Sequence, residues 1–148
     1  MTRRLPLLLL TLLLASLAWP AFAQESPVGR WRSIDDATGQ PKAVIEISQA
    51  SNGTLQARIV RLIDTSKGAA PLCDKCSGAR RNQPILGMTI AWGLRRKGEA
   101  WEGGRILDPE NGKEYSVRMT PVAGGRKLEV RGFLGFALLG RTQVWTRE

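Results

Sequence analysis

The sequence predicts an all-β protein: a single small up-and-down barrel of about eight antiparallel strands, preceded by a removable export signal. Three observations carry this. Beyond residue 23, apolar side chains recur with period two in short runs. Clusters of Gly, Asn, Asp and Pro punctuate those runs at hairpin spacing. Outside the leader, no stretch shows the 3.6-residue period of an amphipathic helix.

The leader comes first. Arg3 and Arg4 form a charged start, Leu5 through Trp19 are almost entirely apolar, and Ala21-Phe22-Ala23 is a small-x-small cleavage site. The apolar run is short for a span of ~20 residues. Residues 1–23 are therefore expected to be a cleaved signal peptide and residues 24–148 the mature domain, placed in the periplasm or secreted. Pro6 and the Leu-rich core favour the general secretory route over a twin-arginine one. No cysteine directly follows the apolar run, so no lipid anchor is expected, and cleavage after Ala23 leaves no transmembrane span expected in the mature form.

The strands are then read in order. The first is expected near residues 28–34. The second lies near 42–48, with Ala43, Ile45 and Ile47 on one face. Asn52-Gly53 supplies the positive-φ residues of a tight hairpin, and a third strand runs near 54–62. Strand four lies near 88–95, with Met88, Ile90, Trp92 and Leu94 sharing a face. Strand five lies near 101–107, with Trp101, Gly103, Arg105 and Leu107 in phase. Asp108-Pro109-Glu110-Asn111-Gly112 is a turn, since Pro presets φ and Asn-Gly tolerates positive φ. Strand six, near 113–120, aligns Tyr115, Val117 and Met119. After Gly124-Gly125, strands seven (near 127–133) and eight (near 139–146) complete the set. Closing eight strands into a barrel removes both open edges, and its interior is either filled or able to hold one small ligand. A two-sheet sandwich is the alternative.

Residues 64–84 form a polar loop of unusual length, which is expected either to be functional or to cover something. It holds both cysteines, Cys73-Asp74-Lys75-Cys76. A metal clip lacks further soft ligands. A redox dithiol needs a helix N-terminus beside a strand, which this context does not supply. A structural disulfide in an oxidising compartment is the expectation, contributing roughly 2 kcal/mol by loop closure. The redox role is kept as an alternative.

The chain carries 22 Lys and Arg against 13 Asp and Glu, for a net charge of +9. Loss of the leader removes two Arg and no acid. Such a balance suggests nucleic acid, but export removes that partner. Anionic envelope components remain, although the basic residues alternate with apolar ones and also read as ordinary solubility. There is no histidine. That excludes Ser-His-Asp and Cys-His catalysis and His-ligated zinc or copper. The carboxylate pairs Asp35/Asp36 and Asp108/Glu110 lie in turn-like segments, where acids usually bond the backbone. There is no phosphate loop, nucleophile elbow or dinucleotide fingerprint, so no catalytic residue, metal or cofactor is assigned and the chain is not expected to be an enzyme.

Gly29-Arg30-Trp31 on the first strand resembles the lipocalin signature. That resemblance implies a Trp closing one barrel end under an Arg of the last strand, a part assigned here to Arg141 through cation–π attraction. If the faces bearing Trp101 and Trp145 point inward, the lining is mixed apolar and cationic. An inward Arg105 or Arg141 then needs a partner, which motivates an acidic-headed ligand. Residues 132–140 are apolar and Gly-rich, suiting either a lid or a docking surface.

Several blocks together resemble the bacterial domain-of-unknown-function family 2147. They are Val28 to Arg32, Ile34-Asp35-Asp36, the Cys73–Cys76 run, Pro84 to Met88, Trp101 to Tyr115, Val130 to Phe133, and Leu139 to Thr142 with Trp145. The block from Trp101 to Tyr115 is the most specific. The resemblance implies an exported protein with a lipocalin-like barrel and transfers no reaction. The expected function is binding of a small hydrophobic or amphipathic molecule, without catalysis. The candidate ligand residues are Trp92, Trp101, Arg105, Tyr115, Arg141 and Gln143. A filled barrel serving as an envelope interaction module is the second reading.

Overall fold

The computed structural model describes residues 25–135 and 139–148. The expected leader, and Phe136 to Leu138 of the apolar segment, lie outside the described residues. The chain forms eight strands: β1 (Gly29–Ile34), β2 (Pro41–Gln49), β3 (Leu55–Leu62), β4 (Thr89–Lys97), β5 (Ala100–Asp108), β6 (Lys113–Val122), β7 (Lys127–Phe133) and β8 (Gly140–Arg147). Each pairs antiparallel with the next and β8 returns to β1, so the sheet closes into an up-and-down barrel. Every expected strand is present.

The turns form as their residues dictate. Gly53 has φ +82°, and Asn52 Oδ1 accepts the Thr54 backbone N–H at 3.1 Å. In the β5–β6 turn, Asp108 Oδ1 accepts from Glu110 N at 2.9 Å and Asn111 Oδ1 from Lys113 N at 2.8 Å. These bonds replace water on backbone groups that the ladder cannot reach.

One half of the barrel interior is solid. Trp31, Leu55, Leu94, Met119 and Leu128 are each 0% exposed there, and burial of each such side chain contributes roughly 1.5–3 kcal/mol. The segment before β1 plugs this end: Trp31 Nε1 donates to the Pro27 carbonyl at 2.7 Å. Arg147, at the end of β8, lies over the Trp31 ring at 4.1 Å. Its guanidinium donates to the carbonyls of Gly125 (2.6 Å), Ser26 (2.9 Å) and Val28 (3.0 Å). The stacking arginine is therefore Arg147 and not the expected Arg141. Because β1 and β8 run antiparallel, the early Trp31 pairs with the last residue of β8.

Two glycines change which faces of β4 and β5 point inward. Leu55 opposes Leu94 and Ala57 opposes Ala91, so three β4 residues span two of β3. The extra residue is absorbed at Gly93, with φ +74°. Ala91 and Leu94 thus share the inner face, and Trp92 turns outward under the Arg80 guanidinium, 4.3 Å from its ring. On β5, Trp101 opposes Met119, whereas Gly104 opposes Val117 and Ile106 opposes Tyr115. The shift at Gly103, φ +80°, puts Ile106 inside and Arg105 outside. Of the expected β4 face, Met88, Ile90 and Leu94 are buried and Trp92 alone is displaced, while on β5 the expected Arg105 gives way to Ile106.

The long loop between β3 and β4 is ordered by its own bonds. Leu72 bridges Pro84, Gly78–Arg80 form one 3-10 turn, and Cys73 and Cys76 are disulfide-bonded. The sulfur-bearing segment packs on the β5–β6 turn so closely that a Cβ on Gly112 would overlap the Lys75 carbonyl. Arg80 Nη1 meets Glu114 Oε1 at 2.8 Å. The loop is therefore a cover, as its length suggested.

Candidate functional site

The other half of the barrel is hollow. A cavity of about 910 Å³ opens between the ends of the strands and the long loop. Its apolar wall includes Ile45, Ile59, Ile90, Ile106, Val130 and Trp145. Ile45, Ile59, Ile106, Val130 and Trp145 continue the inward sides of their strands to this end, and Ile90 joins them at the register shift beside Ala91. Leu72, Leu134 and Leu139 line the cavity while remaining about half exposed or more, at 50%, 59% and 69%. They form an apolar lip.

The mouth is charged and cross-braced. Arg141 Nε meets Asp36 Oδ2 at 2.8 Å, and its Nη2 lies 4.0 Å from Asp108 Oδ2. Gln143 Nε2 donates to the same Asp36 oxygen at 2.9 Å, and Trp145 Nε1 donates to Gln143 Oε1 at 2.9 Å. This chain ties the β1–β2 loop to the inner face of β8. Across the opening, Lys42 Nζ meets Glu110 Oε1 at 2.7 Å and Asp35 Oδ2 at 3.9 Å, and Lys67 reaches Glu110 at 3.4 Å. Tyr115 Oη accepts from Asn111 Nδ2 at 2.9 Å.

Two of these carboxyls titrate below their ordinary values. The hydrogen bond from Lys42 lowers Glu110, with the Lys42 and Lys67 charges adding to it. Asp35 is lowered first by the backbone N–H of Thr38 and then by its hydroxyl, with Lys42 a smaller cause. Both therefore face the opening as carboxylates at neutral pH.

Of the six ligand residues expected from sequence, Tyr115, Arg141 and Gln143 line this cavity. Trp92 and Arg105 do not: they pair side by side on the outer face, where Arg105 donates to the Glu114 carbonyl at 3.3 Å. Trp101 is inward but sits at the solid end, lining a separate shallow depression with Gln49, Asn52 and Arg95. Sequence reasoning missed Lys42, and it weighed Asp36 and Glu110 only as acidic turn residues. Their only signal as ligand residues was position, in the loops and at a strand start at one end of the barrel, where binding side chains concentrate.

The cysteines bear on the redox alternative. Cys73 and Cys76 are 0% and 2% exposed, and Cys73 Sγ lies 3.5 Å from the Pro109 carbonyl. Thiol exchange needs access for an attacking sulfur, which this packing denies. Among the described residues, no group of three or more His, Cys, Asp or Glu is placed to hold a metal ion, and no helix is long and apolar enough to cross a membrane.

Comparison with known proteins agrees with this architecture. A solved structure of protein HP1028 from Helicobacter pylori, described as belonging to the lipocalin family, superposes with a TM-score of 0.72. It covers 83% of each chain at 21% identity, a likeness of fold. No curated protein matches the sequence. The family model described as an uncharacterised protein conserved in bacteria, DUF2147, matches residues 29–147, and with a lipocalin-like barrel beneath that match the chain belongs to the DUF2147 family.

Proposed function

We propose that this chain is an exported, non-catalytic binding protein that takes a small hydrophobic or amphipathic molecule into the hollow half of its barrel. The cavity carries the reading. Its volume of about 910 Å³ falls within the ~300–1,000 Å³ of small-molecule sites, and it pairs an apolar wall with a few polar groups at one end. The lipocalin-like fold is compatible with that use. The leader pattern of residues 1–23 supports export. Non-catalysis is supported by the lack of histidine and by carboxylates already engaged with cations or backbone.

The reading of a filled interaction module fits the solid half only. Its proposed docking segment, residues 133–139, instead contributes Leu134 and Leu139 to the cavity lip.

Native mass spectrometry of protein purified from its export compartment tests the proposal. A copurified small molecule, released on unfolding, is the expected result. Val130→Trp, which places an indole in the hollow, should lose it. Failure of any apolar fluorescent probe to enter the native chain, with no adduct in the mass spectrum, would sink the binding role.

A further inference from the structure

Resting on that reading of the cavity, we propose that its occupant is an amphiphile held tail inward with a cationic head, an ammonium or guanidinium, at the mouth. This reverses the acidic head that an inward Arg105 or Arg141 suggested. The chain is basic, yet six of its 13 acids line the cavity: Asp35, Asp36, Asp64, Asp74, Asp108 and Glu110. Among the described residues only four cations join them there, namely Lys42, Lys67, Lys75 and Arg141. The opening of a +9 chain thus carries an excess of two negative charges, and the positive charge lies elsewhere on the barrel.

The local geometry sharpens this. The two cations that brace the mouth are already bracketed by carboxylates. Lys42 lies between Glu110 and Asp35, and Arg141 between Asp36 and Asp108. A carboxylate or phosphate head would have to displace one of these partners while facing the others at close range. A cationic head meets spare acceptor capacity instead. Both side-chain bonds to Asp36 fall on Oδ2, and Asp108 uses Oδ1 for the Glu110 N–H while its Oδ2 has Arg141 only at 4.0 Å. Asp36 Oδ1 and Asp108 Oδ2 therefore retain lone pairs for an N–H donor. The carboxylates alone would define no site. Behind them lies the hollow, walled by Ile45, Ile59, Val130 and Trp145 and lipped by Leu134 and Leu139, which suits a tail. The acids are not gathered as a metal cluster, so an organic cation is the class that fits.

The test is a head-group series on one tail: dodecylammonium, dodecanol, dodecanoate and dodecyl phosphate. Each is titrated calorimetrically, below micelle-forming concentration, into the mature chain, with Val130→Trp as the blank. Dodecylammonium should bind about tenfold or more tightly than dodecanoate, with dodecanol between, and added salt should narrow the gap. Asp36→Asn combined with Asp108→Asn should narrow it further. Because the unmodified chain carries the series, the result does not depend on that variant folding. Equal binding of all heads, or preference for dodecanoate or the phosphate, overturns the cationic assignment while leaving the cavity as a ligand site. Failure of every member to bind overturns both.

Discussion

Gly29 has φ +132°, a conformation that side chains rarely adopt, and a Cβ there would lie 2.6 Å from Arg147 Nη1, so the bare position also leaves the guanidinium room over Trp31. Both constraints account for the glycine of the Gly-x-Trp spacing. Arg147 serves through its planar fork, which reaches three carbonyls while stacking on the indole. Arg147→Lys keeps the charge and loses the fork, so it should lower stability by about 2 kcal/mol in urea unfolding. A change under ~0.5 kcal/mol would show the clamp to be ornamental. Glycines 39 and 112 offer a cleaner comparison. Both have positive φ, +70° and +71°, but nothing lies near a Cβ at 39 whereas one at 112 strikes the Lys75 carbonyl. Gly39→Ala should cost about 1 kcal/mol for backbone strain alone, and Gly112→Ala clearly more. Equal losses would mean that the loop yields freely.

At the scale of elements, the disulfide acts on its own loop. Replacing Cys73 and Cys76 with Ser should cost about 2 kcal/mol. Amide exchange should quicken in residues 64–87 and on the β5–β6 turn that they cover, with β1, β2 and β7 keeping their protection. Loss of the whole barrel would contradict a local clamp. The strands were legible in the sequence because period two and the Asn-Gly, Asp-Pro and Gly-Gly turns agree with one another. The shared faces of β2 (Ala43, Ile45, Ile47) and β6 (Tyr115, Val117, Met119) were legible for the same reason, although the pattern did not say which side of a strand lies inside. Those of β4 and β5 were misread in part: the shift at Gly93 turns Trp92 outward while Ile90 and Leu94 keep the expected inward side, and the shift at Gly103 brings Ile106 inward in place of Arg105. An isolated glycine within a strand is a known bulge signal, but it does not say whether the bulge forms. Trp92 and Arg105 were misplaced for that reason. Trp101 was misplaced along the barrel axis, a coordinate that periodicity does not carry. The same holds for the mouth acids, which only closure of the ring brings together.

For the whole molecule, charge is segregated: carboxylates crowd the opening while the surface elsewhere is basic. Asp35, Asp64, Glu102 and Glu110 all titrate below their ordinary values of 3.8 for Asp and 4.5 for Glu. Backbone N–H bonds from Thr38 and Ser66 are the main cause for the two Asp, Lys97 and then Arg118 for Glu102, and Lys42 for Glu110. Groups lowered on folding stabilise the native state above their unfolded values, and that stability is lost as pH falls through the folded ones. The urea midpoint should therefore hold steady at neutral pH and decline below about pH 4. Lys42→Met should weaken the part of this dependence that comes from Glu110. A midpoint that rises on acidification would contradict the assignment.

The join between β1 and β8 has only two rungs, Trp31 with Arg147 and Arg32 with Thr146, against seven between β7 and β8. The Glu148 N–H to the Arg30 carbonyl, and ion pairs from Arg32 and Arg61 to the Glu148 side chain, lengthen it slightly. Such a zip is where the cylinder would first split, and a split cylinder exposes two bare strand margins that a second chain can fill. Mild denaturant at high protein concentration should accordingly trap exchanged dimers, visible by size-exclusion chromatography. A cysteine pair locking β1 to β8 should abolish them.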